Sequence, residues 1–143
     1  VKNKGKILAI DLGQAHVGLA LTDPEQVLVF GKGVLRGFKR LDDIFKAVKE
    51  LCLKEKVVEV VMGLPLDDGG NPTPQSDRIE KIGMKLAKFL GDIQVNFEDE
   101  SFTSFEADEF LASRGVKGSN RKLHEDEMAA VQILERYLKH KSA

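Results

Sequence analysis

The sequence has no tryptophan, one tyrosine, one cysteine and four prolines, and almost no excess of either charge: 22 Lys and Arg stand against 23 Asp and Glu, a formal net charge of -1. Each shortage excludes a class of protein. A lone thiol, Cys52, has no partner for an internal disulfide, so a secreted disulfide scaffold is ruled out and a reducing compartment fits. Set in an apolar helical pattern, it reads as a buried structural thiol. Balanced charge argues against a nucleic-acid coat protein or a polybasic membrane binder, both of which are strongly basic. One Cys and the scattered His16, His124 and His140 supply no zinc cluster. No run approaches the roughly 18 apolar residues of a membrane span, and the opening segment enters a strand pattern without a signal-peptide core. A cytoplasmic location is expected.

What is present is ordinary for a globular chain: 143 residues, 42% hydrophobic and 31% charged. That length predicts one domain, residues 1–143, with a core of useful size. Ile7-Leu8-Ala9-Ile10 is a short apolar run that reads as a buried strand closed by Asp11. Val17 to Thr22, stopped by Asp23-Pro24, predicts its antiparallel partner. Val27 to Phe30, resuming at Val34-Leu35, predicts a third strand with a bulge or bend at its glycines.

The period then changes. Leu41, Ile44, Phe45, Val48, Leu51 and Cys52 follow the spacing of an amphipathic helix, and Val57 to Met62 follows as a buried strand ended by Gly63. Residues 64–74 form a loop long enough to suspect function, in which Gly69 and Gly70 could act as joints of a clamp or simply of a surface loop. Thr73-Pro74 is a helix start, with an N-cap oxygen followed by proline at the first helical position. Ile93, Val95 and Phe97 alternate with polar residues as a strand does. Thr103 to Gly115 carries helix start and stop signals, and after a basic loop (Lys117, Arg121, Lys122) a last helix is marked by Ala130, Ile133, Leu134 and Tyr137. The order β-β-β-α-β-α-β-α-α predicts an α/β fold: a mixed five-stranded sheet, its first three strands antiparallel, with helices on its faces.

Three carboxylate positions lie where such a fold collects functional groups. Asp11 ends the first strand and Glu100 follows the last one; if those two strands are neighbours, the side chains converge at one end of the sheet. The third position is on the final helix, where Asp126 and Glu127 lie about equally far from the centre of the apolar stripe and Glu125 points away. Periodicity does not choose between the first two. Clustered carboxylates repel unless a cation neutralises them, and hard oxygen donors select Mg²⁺ or Mn²⁺. Two such ions activate water and stabilise the leaving oxygen in phosphodiester hydrolysis.

The segments Ala9-Ile10-Asp11-Leu12-Gly13 through Thr22-Asp23, Val61-Met62-Gly63-Leu64-Pro65-Leu66 with Pro74-Gln75 and Arg78, Asp99-Glu100 with Thr103-Ser104, and Asp126 through Leu134 together resemble the bacterial YqgF/RuvX family. The likeness spans essentially the whole chain. It implies a ribonuclease H-like fold and a metal-dependent nuclease, either processing the 5′ end of pre-16S rRNA or cleaving Holliday junctions in DNA. It further implies an acidic triad of Asp11, Glu100 and Asp126 holding Mg²⁺ (or Mn²⁺). One departure is Ser101, where the family commonly has Arg.

Cations that could meet a nucleic-acid backbone are Arg78, one turn into its helix, and Arg121 and Lys122, expected just before the helix that carries Asp126. Lys32, Arg36, Lys39 and Arg40 read as a solvated face, and His16 as a turn residue. Nucleic acid, as pre-rRNA or branched DNA, is the expected partner, together with a ribosomal precursor and with no membrane. Competing readings are a non-catalytic ribosome-assembly module and a phosphotransferase, because Asp11-Leu12-Gly13 also resembles the first phosphate motif of actin-like and sugar-kinase folds.

Overall fold

The structure, a computed structural model, describes residues 4–100 and 118–142, with side chains in the second segment from residue 124 onward. Its strands are β1 (Lys6–Leu12), β2 (Val17–Thr22), β3 (Val29–Leu35), β4 (Val57–Leu64) and β5 (Gln94–Asp99). The helices are α1 (Leu41–Glu55), α2 (Pro74–Leu90) and α3 (Gly118–Lys141). They form one sheet in the order β3-β2-β1-β4-β5. The pairs β1·β2 and β2·β3 are antiparallel, while β1·β4 and β4·β5 are parallel. The mixed sheet expected from the sequence is therefore present. The helix expected between Thr103 and Gly115, and Ser101, lie outside the described residues.

Burial on both faces explains why β1 is apolar without alternation. Leu8 and Ile10 pack with Ile44, Val48, Ile79 and Leu86 of α1 and α2. Ile7 and Ala9, one residue out of phase, pack with Ala130, Ile133 and Leu134 of α3. The helices thus cover opposite faces, and Asp11, in phase with Ile7 and Ala9, belongs to the face under α3.

Local chemistry sets the element ends. Thr73 caps α2: its Oγ1 accepts from Ser76 N at 3.0 Å, while Ser76 Oγ accepts from Thr73 N at 2.8 Å. The third strand starts at Val29, later than its apolar run predicts. The carboxylate of Asp23 accepts the N–H groups of Val27 and Leu28, both at 2.8 Å, which leaves those residues outside the ladder and exposed. The expected bulge lies opposite Leu19, where the pairing slips between Gly18 and Ala20, and Gly33 adopts φ +90°. At its far end α3 is tied down by Glu59, which accepts from Lys141 Nζ at 2.8 Å, from Asn96 Nδ2 at 2.7 Å and from the Tyr137 hydroxyl. Burial alone would push the Glu59 carboxyl up, but these donors outweigh it and hold the group below its ordinary value.

Candidate active site

Two glycines give the site its shape. Gly18 of β2 pairs with Asp11 of β1, and a Cβ at Gly18 would collide with the main chain of Asp126 and crowd that of Glu127. The backbone of α3 therefore rests directly on the sheet beside Asp11. On the other side, Gly63 of β4 comes one residue after Met62, the partner of Ile10, and so lies level with Asp11. A Cβ at Gly63 would sit 3.2 Å from Glu100 Oε2 and crowd Ile133. With no side chain there, Glu100 extends over β4 towards Asp11.

The two strands that end near these acids are not neighbours. β4 lies between β1 and β5, so the premise that adjacency brings Asp11 and Glu100 together is corrected. They converge over the gap at Gly63 instead. Glu100 is set by its own backbone, whose N–H donates to the Leu64 carbonyl at 2.9 Å and prolongs the β4·β5 ladder by one residue. Burial raises the Glu100 carboxyl well above its ordinary value; the charge of Asp11 and a hydrogen bond between the two carboxyls push the same way, opposed by Arg136. Such a bond needs one proton between them. Arg136 is held nearby, its Nη1 donating to the Asp99 carbonyl at 3.0 Å.

The two acids that the helical wheel left tied are given different partners. Glu127 turns to β3, where its Oε2 accepts from Gly33 N at 2.6 Å at the bulge. Asp126 turns to the β1–β2 hairpin, where its Oδ2 lies 3.0 Å from His16 Nδ1. His16 is a turn residue as expected, its carbonyl accepting from Gly13 N at 3.0 Å. Its ring has a second contact that the sequence does not signal, because the partner is on a distant helix.

The site thus brings Asp11 and Glu100 into contact and sets the main chain of Asp126 against Gly18, the partner of Asp11, with the Asp126 carboxylate beside His16. Among the described residues, no three His, Cys, Asp or Glu side chains are grouped as ligands of one ion. The donor set nevertheless suits a hard divalent cation: two half-buried carboxyls in contact, whose mutual repulsion a proton relieves here and a cation would relieve in its place. Arg78 is elsewhere, exposed on α2 across the sheet from α3. Arg121 and Lys122 lie inside α3, which begins at Gly118, and not in a loop before it; their side chains lie outside those described. No proline interrupts Gly118 to Lys122, so the chain there is free to join the helix.

Comparison with known proteins follows the same line. The family model for RuvX, described as Holliday junction resolvase, matches residues 5–140. A protein of Dictyoglomus turgidum named "Putative pre-16S rRNA nuclease" is 33% identical over 93% of this chain and 93% of its own. One of the same name from Caldanaerobacter subterraneus is 36% identical over 93% of this chain and 95% of its own. Among solved structures, Thermus thermophilus RuvC in complex with a Holliday junction substrate superposes with a TM-score of 0.58 at 18% identity, over 97% of this chain and 98% of that one. That likeness is one of fold, the ribonuclease H-like fold.

Proposed function

Since the chain belongs to the RuvX family of Holliday junction resolvases, we propose that it is a metal-dependent nuclease that hydrolyses phosphodiester bonds in structured nucleic acid, processing the 5′ end of pre-16S rRNA. The observation that carries this reading is the half-buried contact of Asp11 with Glu100 at the C-terminal ends of the parallel strands, where α/β sheets bind their ligands. The names of the relatives support the RNA substrate, and the description of the family supports a four-way DNA junction as the second reading.

Asp11 and Glu100 would hold Mg²⁺ or Mn²⁺ after Glu100 gives up its proton, with Asp126 as the third ligand. The ion supplies Lewis acidity towards a phosphodiester and its attacking water. His16 Nδ1 lies beside the Asp126 carboxylate, where a protonated ring would pair with it, and Arg136 offsets part of the negative charge at Glu100. Gly18 and Gly63 keep the floor of the site free of side chains, so that α3 and Glu100 reach their places.

The test is an incubation of the purified protein with Mg²⁺ or Mn²⁺ on a 5′-extended 16S precursor RNA and on a four-way DNA junction. Cleavage of the RNA, lost in Asp11→Asn, Glu100→Gln and Asp126→Asn, is expected. Cleavage confined to the DNA would select the second reading. Binding of the RNA without cleavage under either metal would leave a non-catalytic assembly factor.

A further inference from the structure

A net charge of -1 leaves a nucleic-acid enzyme in need of segregated cations. Four of the lysines are already engaged: Lys6 and Lys32 pair with Glu55 at 2.8 and 3.1 Å, Lys4 with Glu25 at 2.7 Å, and Lys141 with Glu59 at 2.8 Å. One group is different. On the face opposite α3, a cleft of about 670 Å³ between the start of α1 and α2 is lined by Lys39, Arg40, Arg78, Lys81 and Lys85, with Asp77 as the one acid among the described residues that line it. Among the described residues none of the five is ion-paired.

The arrangement follows from the chain. Arg78, Lys81 and Lys85 are spaced i, i+3, i+7 and share one exposed stripe of α2. Lys39 and Arg40 stand on the other wall because the Asp43 carboxylate accepts their backbone N–H groups at 3.0 and 3.1 Å and so fixes the entry to α1. Like charges gathered this way repel one another.

We propose that this cleft is a second nucleic-acid subsite, which holds the phosphodiester backbone of the substrate arm leaving the carboxylate site. Two features select a polyanion over a single phosphate. The stripe from Arg78 to Lys85 spans about 10 Å at the helical rise of about 1.5 Å per residue, too long for one phosphate group. The cleft also begins at Leu12, Gly13 and Gln14, immediately after Asp11. Asp11 faces α3 while Leu12 faces α1 and α2, so a strand lying across the end of β1 touches the carboxylates on one face and the cations on the other. Contacts of this kind position a substrate without reading its sequence. The proposal rests on the nuclease reading for its direction relative to the carboxylates.

The experiment measures binding of a labelled 5′-extended 16S precursor RNA and, in parallel, of a labelled four-way DNA junction by anisotropy across a salt series in EDTA, where no metal-dependent cleavage intervenes. Each phosphate contact adds about 0.9 to the slope of log K against log [salt] on duplex DNA. Combining Arg78→Gln, Lys81→Gln and Lys85→Gln is expected to make the slope shallower by about 2.7, and Lys39→Gln with Arg40→Gln, on the other wall, by about 1.8. A control combining Lys4→Gln, Lys54→Gln and Lys56→Gln, at the opposite end of the sheet, should leave it unchanged. Unaltered slopes in both cleft variants, an equal change in the control, or binding of neither nucleic acid by the wild type would overturn the proposal. Wild-type cleavage alongside unaltered slopes would sink the cleft alone, and altered slopes without any cleavage would sink the nuclease reading alone.

Discussion

Asp11 and Glu100 meet across a strand to which neither belongs. Their carboxyls are hydrogen-bonded over Gly63 of β4, the position level with Asp11, where a side chain would crowd Glu100. Two half-buried carboxylates in contact disfavour ionising together without a counter-charge. The properties of the metal-free protein follow from the proton they share.

That proton makes stability depend on pH. Burial first, and the adjoining Asp11 second, raise the folded-state pKa of Glu100. Above the ordinary Glu value of about 4.3, the unfolded chain has lost the proton while the folded one keeps it. Stability contributed by this group is therefore present at low pH and declines as pH rises towards the folded value, by at most about 1.4 kcal/mol per pH unit. In EDTA, Glu100→Gln should melt increasingly above the wild type from about pH 5 to about pH 8. A difference that does not vary with pH would contradict the shared proton.

A divalent cation should replace it. A ligand that binds only the folded state stabilises by about 2.7 kcal/mol at a hundred times its Kd. Mn²⁺ is expected to raise the Tm of the wild type and not of Asp11→Asn or Glu100→Gln. An unshifted wild type would remove the metal from the proposed chemistry.

Asp126 and Glu127 should separate in the same assay. Glu127→Ala loses a hydrogen bond from Gly33 to a charged acceptor, a loss of about 1.5–3 kcal/mol in chemical denaturation, yet keeps its response to Mn²⁺. Asp126→Asn is expected to keep its stability and lose most of the response. The reverse pattern would assign the metal to Glu127.

Gly18→Ala is a steric test. The added methyl meets the main chain of Asp126, which has no rotamer by which to retreat. Overpacking of about 1–3 kcal/mol, with loss of the Mn²⁺ response, is expected from denaturant midpoints and melting curves. A variant as stable and as metal-responsive as the wild type would mean that α3 does not rest on β2 at this point.

Cys52 is buried, and burial pushes its thiol up to about 11. A thiol reagent at about pH 8 should leave it unmodified in the native protein and label it fully in denaturant. Rapid native labelling would place it at the surface.

Much of this fold is readable along the chain because the signals are local. The apolar run of β1, the stripe from Leu41 to Cys52 and the Thr73-Pro74 start each depend on residues within a few positions of one another, and each is present in the structure. Val27 and Leu28 show the limit even there: apolar residues suited to a strand are withheld from the sheet by hydrogen bonds to Asp23. Asp11 and Glu100 stand out in the sequence as acids at strand ends. That they touch depends on β4 lying between their strands and on Gly63 standing level with Asp11. The helical wheel ranks Asp126 and Glu127 alike, since it contains neither the bulge at Gly33 nor His16, which give them different partners. The five cations of the cleft come from two segments with no shared periodicity. The sequence by itself determined which elements form and which residues carry charge, because backbone propensity and amphipathic period are properties of neighbours in the chain. Only the tertiary structure decided which charges face one another, because that depends on strand order and on how closely α3 approaches the sheet at Gly18.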